Sequence, residues 1–252
     1  MNPIVLLSSF GAACFVVAAS CLIFVLMRMR KQETPTSGGS GGAPPVTGSS
    51  NDMKSGAFSI TNYWVASDGD KYLMDCGSSK PKKSESAAMH KKEVTLGSAP
   101  GGKKYTLNGK SGSLATVDAY MWDACYCEGT CRVGSSTYNL LSENKQTFMK
   151  TDSGYGLGSK GQKLVPFVSV TADRSFPHGS TLLVKNIVGA ALPNGKIHNG
   201  CVRVDDSCGD GCGSKQLDMH VGTYDLHKRL NGRLQGKSDV TKTACTVLDY
   251  GY

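Results

Sequence analysis

The chain opens on a run without charge: residues 3–27 are mostly Val, Leu, Ile, Phe and Ala. That is about the length a helix needs to cross a bilayer. The cluster Arg28-Met29-Arg30-Lys31 ends the run, and residues 33–51 are mainly Gly, Ser, Thr and Pro. Such a segment buries no core and reads as a flexible tether spanning about 25 Å. From residue 57 the pattern changes. Residues 58–65 alternate β-rich apolar and polar side chains and predict a strand. Residues 66–112 are polar, with Lys and Gly runs, and predict hairpins and an exposed loop. Residues 114–124 fit a short helix or a strand equally. Residues 163–173 predict a buried strand ending in Asp173. Further strands are predicted at 180–186, 200–205 and 216–220, and a closing one at 246–250. Turns fall at 176–179 and 191–196, and 223–230 predicts one short helix. The organisation is a transmembrane anchor (3–27), a basic stop and linker (28–56) and one mainly β domain (57–252), a small barrel or sandwich.

A secretory signal peptide competes with the anchor. No Lys or Arg precedes the apolar run and no small-residue cleavage site follows it, so we read an uncleaved anchor. The basic cluster on its C-terminal side puts the large domain in the cytoplasm. The cysteines point the other way. Of ten, Cys14 and Cys21 lie in the apolar run; the other eight are Cys76, Cys125, Cys127, Cys131, Cys201, Cys208, Cys212 and Cys245. Their spacing is not that of a zinc ribbon, so disulfides formed in an oxidising place are the reading, with about 105 connectivities open. A bilayer enclosed in an assembled particle, such as a large DNA virus, would reconcile the two signals; so would a failure of the charge rule. The side of the membrane stays open. The formal charge is +8, with 28 basic and 20 acidic residues spread along the chain. A basic surface suits nucleic acid, an anionic membrane or an acidic polysaccharide. No zinc-finger spacing or RNA-binding aromatic signature is present, so nucleic acid is not the expected partner. Neither a cofactor nor a metal is expected, and His178, His198 and His220 are too scattered to suggest one.

The candidate chemistry lies between residues 198 and 220. Asp205 and Asp206 precede a loop rich in Cys and Gly, and Asp218 follows it between Leu217 and Met219. A carboxyl group held on a strand beside apolar neighbours stays protonated enough to donate a proton. Asp173 before a turn equally reads as a backbone cap, and Asp205 and Asp206 equally read as organisers of the loop. Trp64 reads as core or as a sugar platform.

The order of several segments resembles a known family. Asp173, Pro177-x-Gly179, His198-x-Gly200-Cys201, Asp205-Asp206 and Leu217-Asp218 resemble the 3D domain, named for three aspartates. Upstream, Thr61-x-Tyr63-Trp64-Val65-Ala66, Cys127-Glu128-Gly129-Thr130, Gly156-x-Gly158-Ser159 and Leu164-x-Pro166-Phe167 extend the resemblance over about residues 58–222. The resemblance implies a six-stranded double-psi β-barrel with loop insertions. That barrel is similar to the barrel of the MltA lytic transglycosylases and, more distantly, to expansins, barwin and family 45 glycoside hydrolases. It assigns Asp173, Asp206 and Asp218 as the three aspartates, with Asp218 at the position of the catalytic acid. Glu128, Trp64 and Asp205 are candidate sugar contacts, and Asp123 loosely echoes a family 45 aspartate. The turn after Asp206 departs from the family pattern: it is longer and carries Cys208 and Cys212. The expected function is cleavage of a cell-wall polysaccharide such as peptidoglycan, as a lytic transglycosylase or a glycosidase. The alternative is a non-catalytic polysaccharide-binding or structural membrane protein of a virion or envelope, with virion or envelope proteins as partners.

Overall fold

The computed structural model describes residues 56–74, 83–142, 145–208, 213 and 215–252. The predicted anchor and nearly all of the linker lie outside these residues, as do Cys76 and Cys212. Among the described residues no helix is long and apolar enough to cross a membrane. In chain order the elements are β1 (Gly56–Ser67), β2 (Lys71–Leu73), α1 (Ser84–Ala87), β3 (Glu93–Thr95), β4 (Tyr105–Asn108), β5 (Ser113–Val117) and α2 (Ala119–Glu128). There follow β6 (Thr130–Val133), β7 (Ser136–Ser142), β8 (Thr147–Thr151), β9 (Ser169–Ala172), β10 (Thr181–Val184), β11 (Cys201–Ser207), β12 (Gln216–Thr223), α3 (Tyr224–Leu230) and β13 (Gly236–Lys242). The chain is mainly β.

Six of these strands pair in a closed cycle. β1 lies parallel to β12 and antiparallel to β13; β13 continues to β10 and β10 to β11, both antiparallel. β11 then pairs in parallel with β9, and β9 antiparallel with β12, which returns to β1. Closure leaves no unpaired edge. The strand period of two decides what fills it. Phe58 and Ile60, Val170 and Ala172, Val202 and Val204, and Leu217, Met219 and Val221 alternate inward, each at most 2% exposed. The intervening residues face outward, and on this outer face the polar chemistry collects.

A second core separates β1 from β9 in sequence. β6, β7, β8, β4 and β5 form a sheet joined to the end of β1 through Ala66 and Cys131. α2 packs on it, burying Met121, Trp122 and Cys125. The helix starts where Asp118 accepts the Met121 amide at 2.9 Å and stops where Gly129 turns left-handed at φ 72°. Residues 114–124 therefore hold both predicted alternatives, the end of a strand and the start of a helix. The prediction of an exposed loop over 66–112 is corrected, because Tyr72, Met74, Val94, Leu96 and Leu107 are buried in this second core.

Two other expectations change. Residues 246–250 form no strand; Tyr250 is buried against the His198 ring instead, with centroids 4.9 Å apart. The closing strand is β13, whose polar sequence buries only Ser238 and Val240 and so shows little alternation of apolar side chains. The predicted strand at 163–173 shortens to β9, since the chain turns at 165–168 with Phe167 at φ 63°. Disulfides join Cys125 to Cys131 and Cys201 to Cys245, and Cys127 and Cys208 are disulfide-bonded as well.

Candidate active site

Register aligns four polar side chains. Thr61 on β1 pairs with Asp218 on β12, Asp218 with Thr171 on β9, and Thr171 with Asp206 on β11. Residues directly opposite on neighbouring strands share a face. The row Thr61, Asp218, Thr171, Asp206 therefore crosses the outer face of the barrel, with two strand spacings, about 9–10 Å, between the aspartate backbones. A bulge between Val204 and Asp206 makes the alignment possible. It places two consecutive aspartates on the same face, which a regular strand cannot do.

Asp218 has one engaged oxygen and one open one. Thr61 Oγ1 donates to its Oδ1 at 2.9 Å, and Gln216 Nε2 steadies Thr61 at 3.2 Å. No hydrogen bond among the described residues engages Oδ2, and the residue keeps a partly exposed face. Burial of the rest pushes the carboxyl up from the ordinary 3.8 to about 6; the Thr61 hydrogen bond opposes this and the nearby Asp206 charge adds to it. Asp206 is held differently. Its Oδ1 accepts the amides of Ser159 and Ser207, both at 2.8 Å, and its Oδ2 accepts Thr171 Oγ1 at 3.3 Å. Asp206 is thus engaged on both oxygens, whereas Asp218 is crowded and engaged on one.

Ser159 belongs to a loop strapped over β11. Gln162 Nε2 donates to the Asp205 carbonyl, and Ser159 Oγ meets Ser207 Oγ at 2.9 Å and His178 Nε2 at 3.2 Å. The two glycines of this segment have separate reasons. Gly156 has φ 88°, and a Cβ there would lie 2.6 Å from Thr130 Oγ1. At Gly158 a Cβ would overlap the Asp205 carbonyl. Gly158→Ala is expected to lift the loop and withdraw the Ser159 amide from Asp206, at about 1–3 kcal/mol in stability. Thermal denaturation checks the loss, and an unchanged Tm would show that the loop is not clamped as described.

The other sequence candidates fall in several places. Asp205 is 2% exposed, and its carboxylate is taken by Arg203 Nε at 2.6 Å, Arg203 Nη2 at 2.9 Å and Ser169 Oγ at 2.5 Å. Asp205, expected as a sugar contact, thus has its carboxylate in a buried ion pair. Asp173 follows β9 and accepts the Ser175 amide at 2.9 Å, the capping alternative. Glu128 ends α2 beside the groove described below and accepts Tyr72 Oη at 2.8 Å. Trp64 points away from the row: it stacks on His227 at 4.3 Å and meets the rings of Tyr72 and Tyr224. Trp64, expected as core or as a sugar platform, is partly buried and packs against both cores. Asp123 is 2% exposed and accepts the Lys83 amide, holding α1 to α2. His198 is buried between Phe167 O and the Gly200 amide, each at 2.8 Å. His220, next outward after Asp218, is wholly buried, and its ring is pushed down to about 3 by desolvation. Sequence reasoning gave no role to Thr61, Tyr63 and Thr171; their outward positions on strands were the available signal.

A groove of about 310 Å³ adjoins the row. Tyr63 and Asp206 line its barrel side; Glu128, Asn139, Leu141 and Met149 line the side of the second core. Neither a protein-family model nor a curated protein matches the chain. Solved structures do show likeness. A structure of E. coli MltA with bound chitohexaose is 14% identical, covering 73% of this chain and 70% of that one, with a TM-score of 0.40. A membrane-bound lytic murein transglycosylase from Agrobacterium tumefaciens is 8% identical, covering 73% of each chain, with a TM-score of 0.44. The lytic transglycosylase LtgG of Burkholderia pseudomallei is 14% identical, covering 74% and 71%, with a TM-score of 0.37.

Proposed function

We propose that this chain cleaves a cell-wall polysaccharide with Asp218 as its acid and base, as a lytic transglycosylase does. One observation carries the reading: Asp218 is pushed up to about 6, with one oxygen fixed by Thr61 and the other open. A carboxyl poised near the working pH both donates and accepts protons efficiently. In the first step Asp218 gives its proton to the glycosidic oxygen as the bond to the anomeric carbon breaks. In the second, the Asp218 carboxylate takes the proton of the sugar's own primary hydroxyl, whose oxygen bonds the anomeric carbon and closes an anhydro ring. The nucleophile comes from the substrate, so no second catalytic carboxylate is needed. Asp206 supplies a fixed negative charge that holds up the Asp218 pKa. The barrel reading belongs to the same proposal: the closed cycle of six strands, with two parallel pairs among antiparallel ones, supports reading the domain as a double-psi β-barrel. So does the setting: a domain tethered by residues 3–27 and lying in an oxidising compartment, as its disulfides favour.

The test is incubation with peptidoglycan and mass spectrometry of the products. Anhydro-sugar ends are expected; reducing ends formed with water instead would make the protein a hydrolytic glycosidase. No product from peptidoglycan, chitin or cellulose would overturn the catalytic reading and leave the glycan-binding or structural alternative. Asp206→Asn is expected to retain cleavage but to move its alkaline limb to lower pH, because removing the neighbouring charge lowers the Asp218 pKa. A pH profile of kcat/KM checks the direction.

A further inference from the structure

Tyr63 occupies a position that neither the barrel core nor the steps above explain. It lies two residues beyond Thr61 on the outward side of β1, paired with His220, so that Asp218 is its diagonal neighbour across β12. Diagonal positions are within reach of an aromatic side chain. The ring packs on His220 with centroids 4.9 Å apart, and His220 meets Tyr155 on its other side. The phenol hydroxyl is buried and, among the described residues, meets no partner in good hydrogen-bond geometry; its nearest polar neighbour is the Thr171 hydroxyl, which lies close enough to favour the ionised phenol and itself donates to Asp206, between the two aspartates of the row. A buried hydroxyl left unpaired costs stability, and each such group calls for an explanation.

The charges around it narrow the explanation. Asp206, Asp218 and Asp205 face Tyr63 from β11 and β12, and Glu128 stands on the opposite wall of the groove. Burial first, and then the charges of Asp206, Asp218 and Asp205, hold the phenol well above its ordinary range against the opposing Thr171 contact, so it stays protonated and is a donor. Asp206 already accepts from Ser159, Ser207 and Thr171. Asp205 is closed by Arg203 and Ser169. His220 packs its ring on the Tyr63 ring, and among the described residues neither of its nitrogens meets the hydroxyl, so it does not accept in this geometry. Among the described residues Asp218 accepts a side-chain hydrogen bond from Thr61 at Oδ1 and none at Oδ2.

Taking the proposed role of Asp218 as given, we infer that Tyr63 is a positioning residue whose hydroxyl donates to the Asp218 carboxylate once that group has lost its proton. A neutral carboxyl is the weaker acceptor, and a bond to its anion is about twice as strong. When Asp218 ionises, a donor that is already buried and close needs only to turn about its C–O bond, with a small shift of the ring. The interaction stabilises the anion between the two proton transfers and limits how basic Asp218 becomes.

The test is the carboxyl carbon NMR titration of Asp218 in the whole protein and in Tyr63→Phe, which removes a single oxygen. The Asp218 pKa is expected to rise by about one unit in Tyr63→Phe, the scale of one hydrogen bond to a charged group. The Tm below the Asp218 pKa is expected not to fall, because the lost hydroxyl made no bond. An unmoved Asp218 pKa overturns the inference, and so does a fall in Tm at low pH, which would show that the hydroxyl has a structural partner. Neither readout depends on cleavage. An inactive parent protein therefore counts against the catalytic reading, and an unmoved titration counts against Tyr63.

Discussion

Asp218→Asn is expected to lower glycan cleavage by about 100- to 10,000-fold, the contribution of a positioned proton donor, while leaving the fold intact. The same substitution should change stability in a pH-dependent way. The folded carboxyl sits at about 6 against an ordinary 3.8, so between those values the folded chain binds more protons than the unfolded chain. The stability that Asp218 contributes is thus fully present below about pH 4 and is lost as pH rises through 6. Asparagine carries no charge to desolvate. Above pH 6 the variant is therefore expected to exceed the parent by about 1–2 kcal/mol, allowing for the partly exposed face of the residue. The gap should close toward pH 4. His220 titrates oppositely: held neutral in the fold, its contribution falls as pH drops below its unfolded value and on toward 3. The parent alone therefore mixes two slopes, and the difference between parent and variant isolates Asp218. Denaturant melts at pH 4 and pH 8 make the comparison; a constant gap would mean that the carboxyl is not perturbed by burial. An active Asp218→Asn protein would remove Asp218 from the chemistry.

Opening the Cys201–Cys245 disulfide is expected to cost about 4 kcal/mol. Its two cysteines are 44 residues apart, and the loop entropy released to the unfolded chain has that magnitude. The bridge also fastens the segment after β13 to β11, the strand that carries Asp206. The Cys125–Cys131 bridge closes only 6 residues and should contribute about half as much. Paired serine substitutions followed by thermal denaturation measure both. Equal losses from the two bridges would contradict the loop-length account. A reductant should lower Tm in the parent and have less effect on the Cys201→Ser/Cys245→Ser variant.

The parts of the fold legible in the sequence are those with local signals. β1 and β12 announced themselves by alternation; α3, expected at 223–230, runs over Tyr224–Leu230 and is capped by Thr223, which accepts the Leu226 amide at 3.3 Å. Asp218 could be singled out because Leu217 and Met219 flank it and both are fully buried. β13 gave no such signal, since a serine fills one of its two buried positions. The second core was hidden because Tyr72, Met74, Val94 and Leu96 are spread among lysines and glycines. The row around Asp218 was out of reach for another reason. Which threonine stands beside which aspartate depends on the register between strands that local pattern leaves open. The burial of Asp205 was not legible either, because it depends on Arg203, two residues back on the same face, and on Ser169 of the neighbouring β9.

The hydrogen bond from Thr61 to Asp218 joins residues 157 positions apart. Contacts of such separation form slowly, because the chain must lose the entropy of closing the intervening loop first. On a ribosome β1 emerges early and waits until β12 has been made, with the whole second core in between. The second core, with its own helix, sheet and short disulfide, has partners enough to organise during that wait. The acid is therefore assembled at the end of folding. Apart from its end at Ala66 and Ser67, which pairs with β6, a nascent chain exposes β1 as an unpaired strand until β12 and β13 are made, and such a strand needs protection from aggregation.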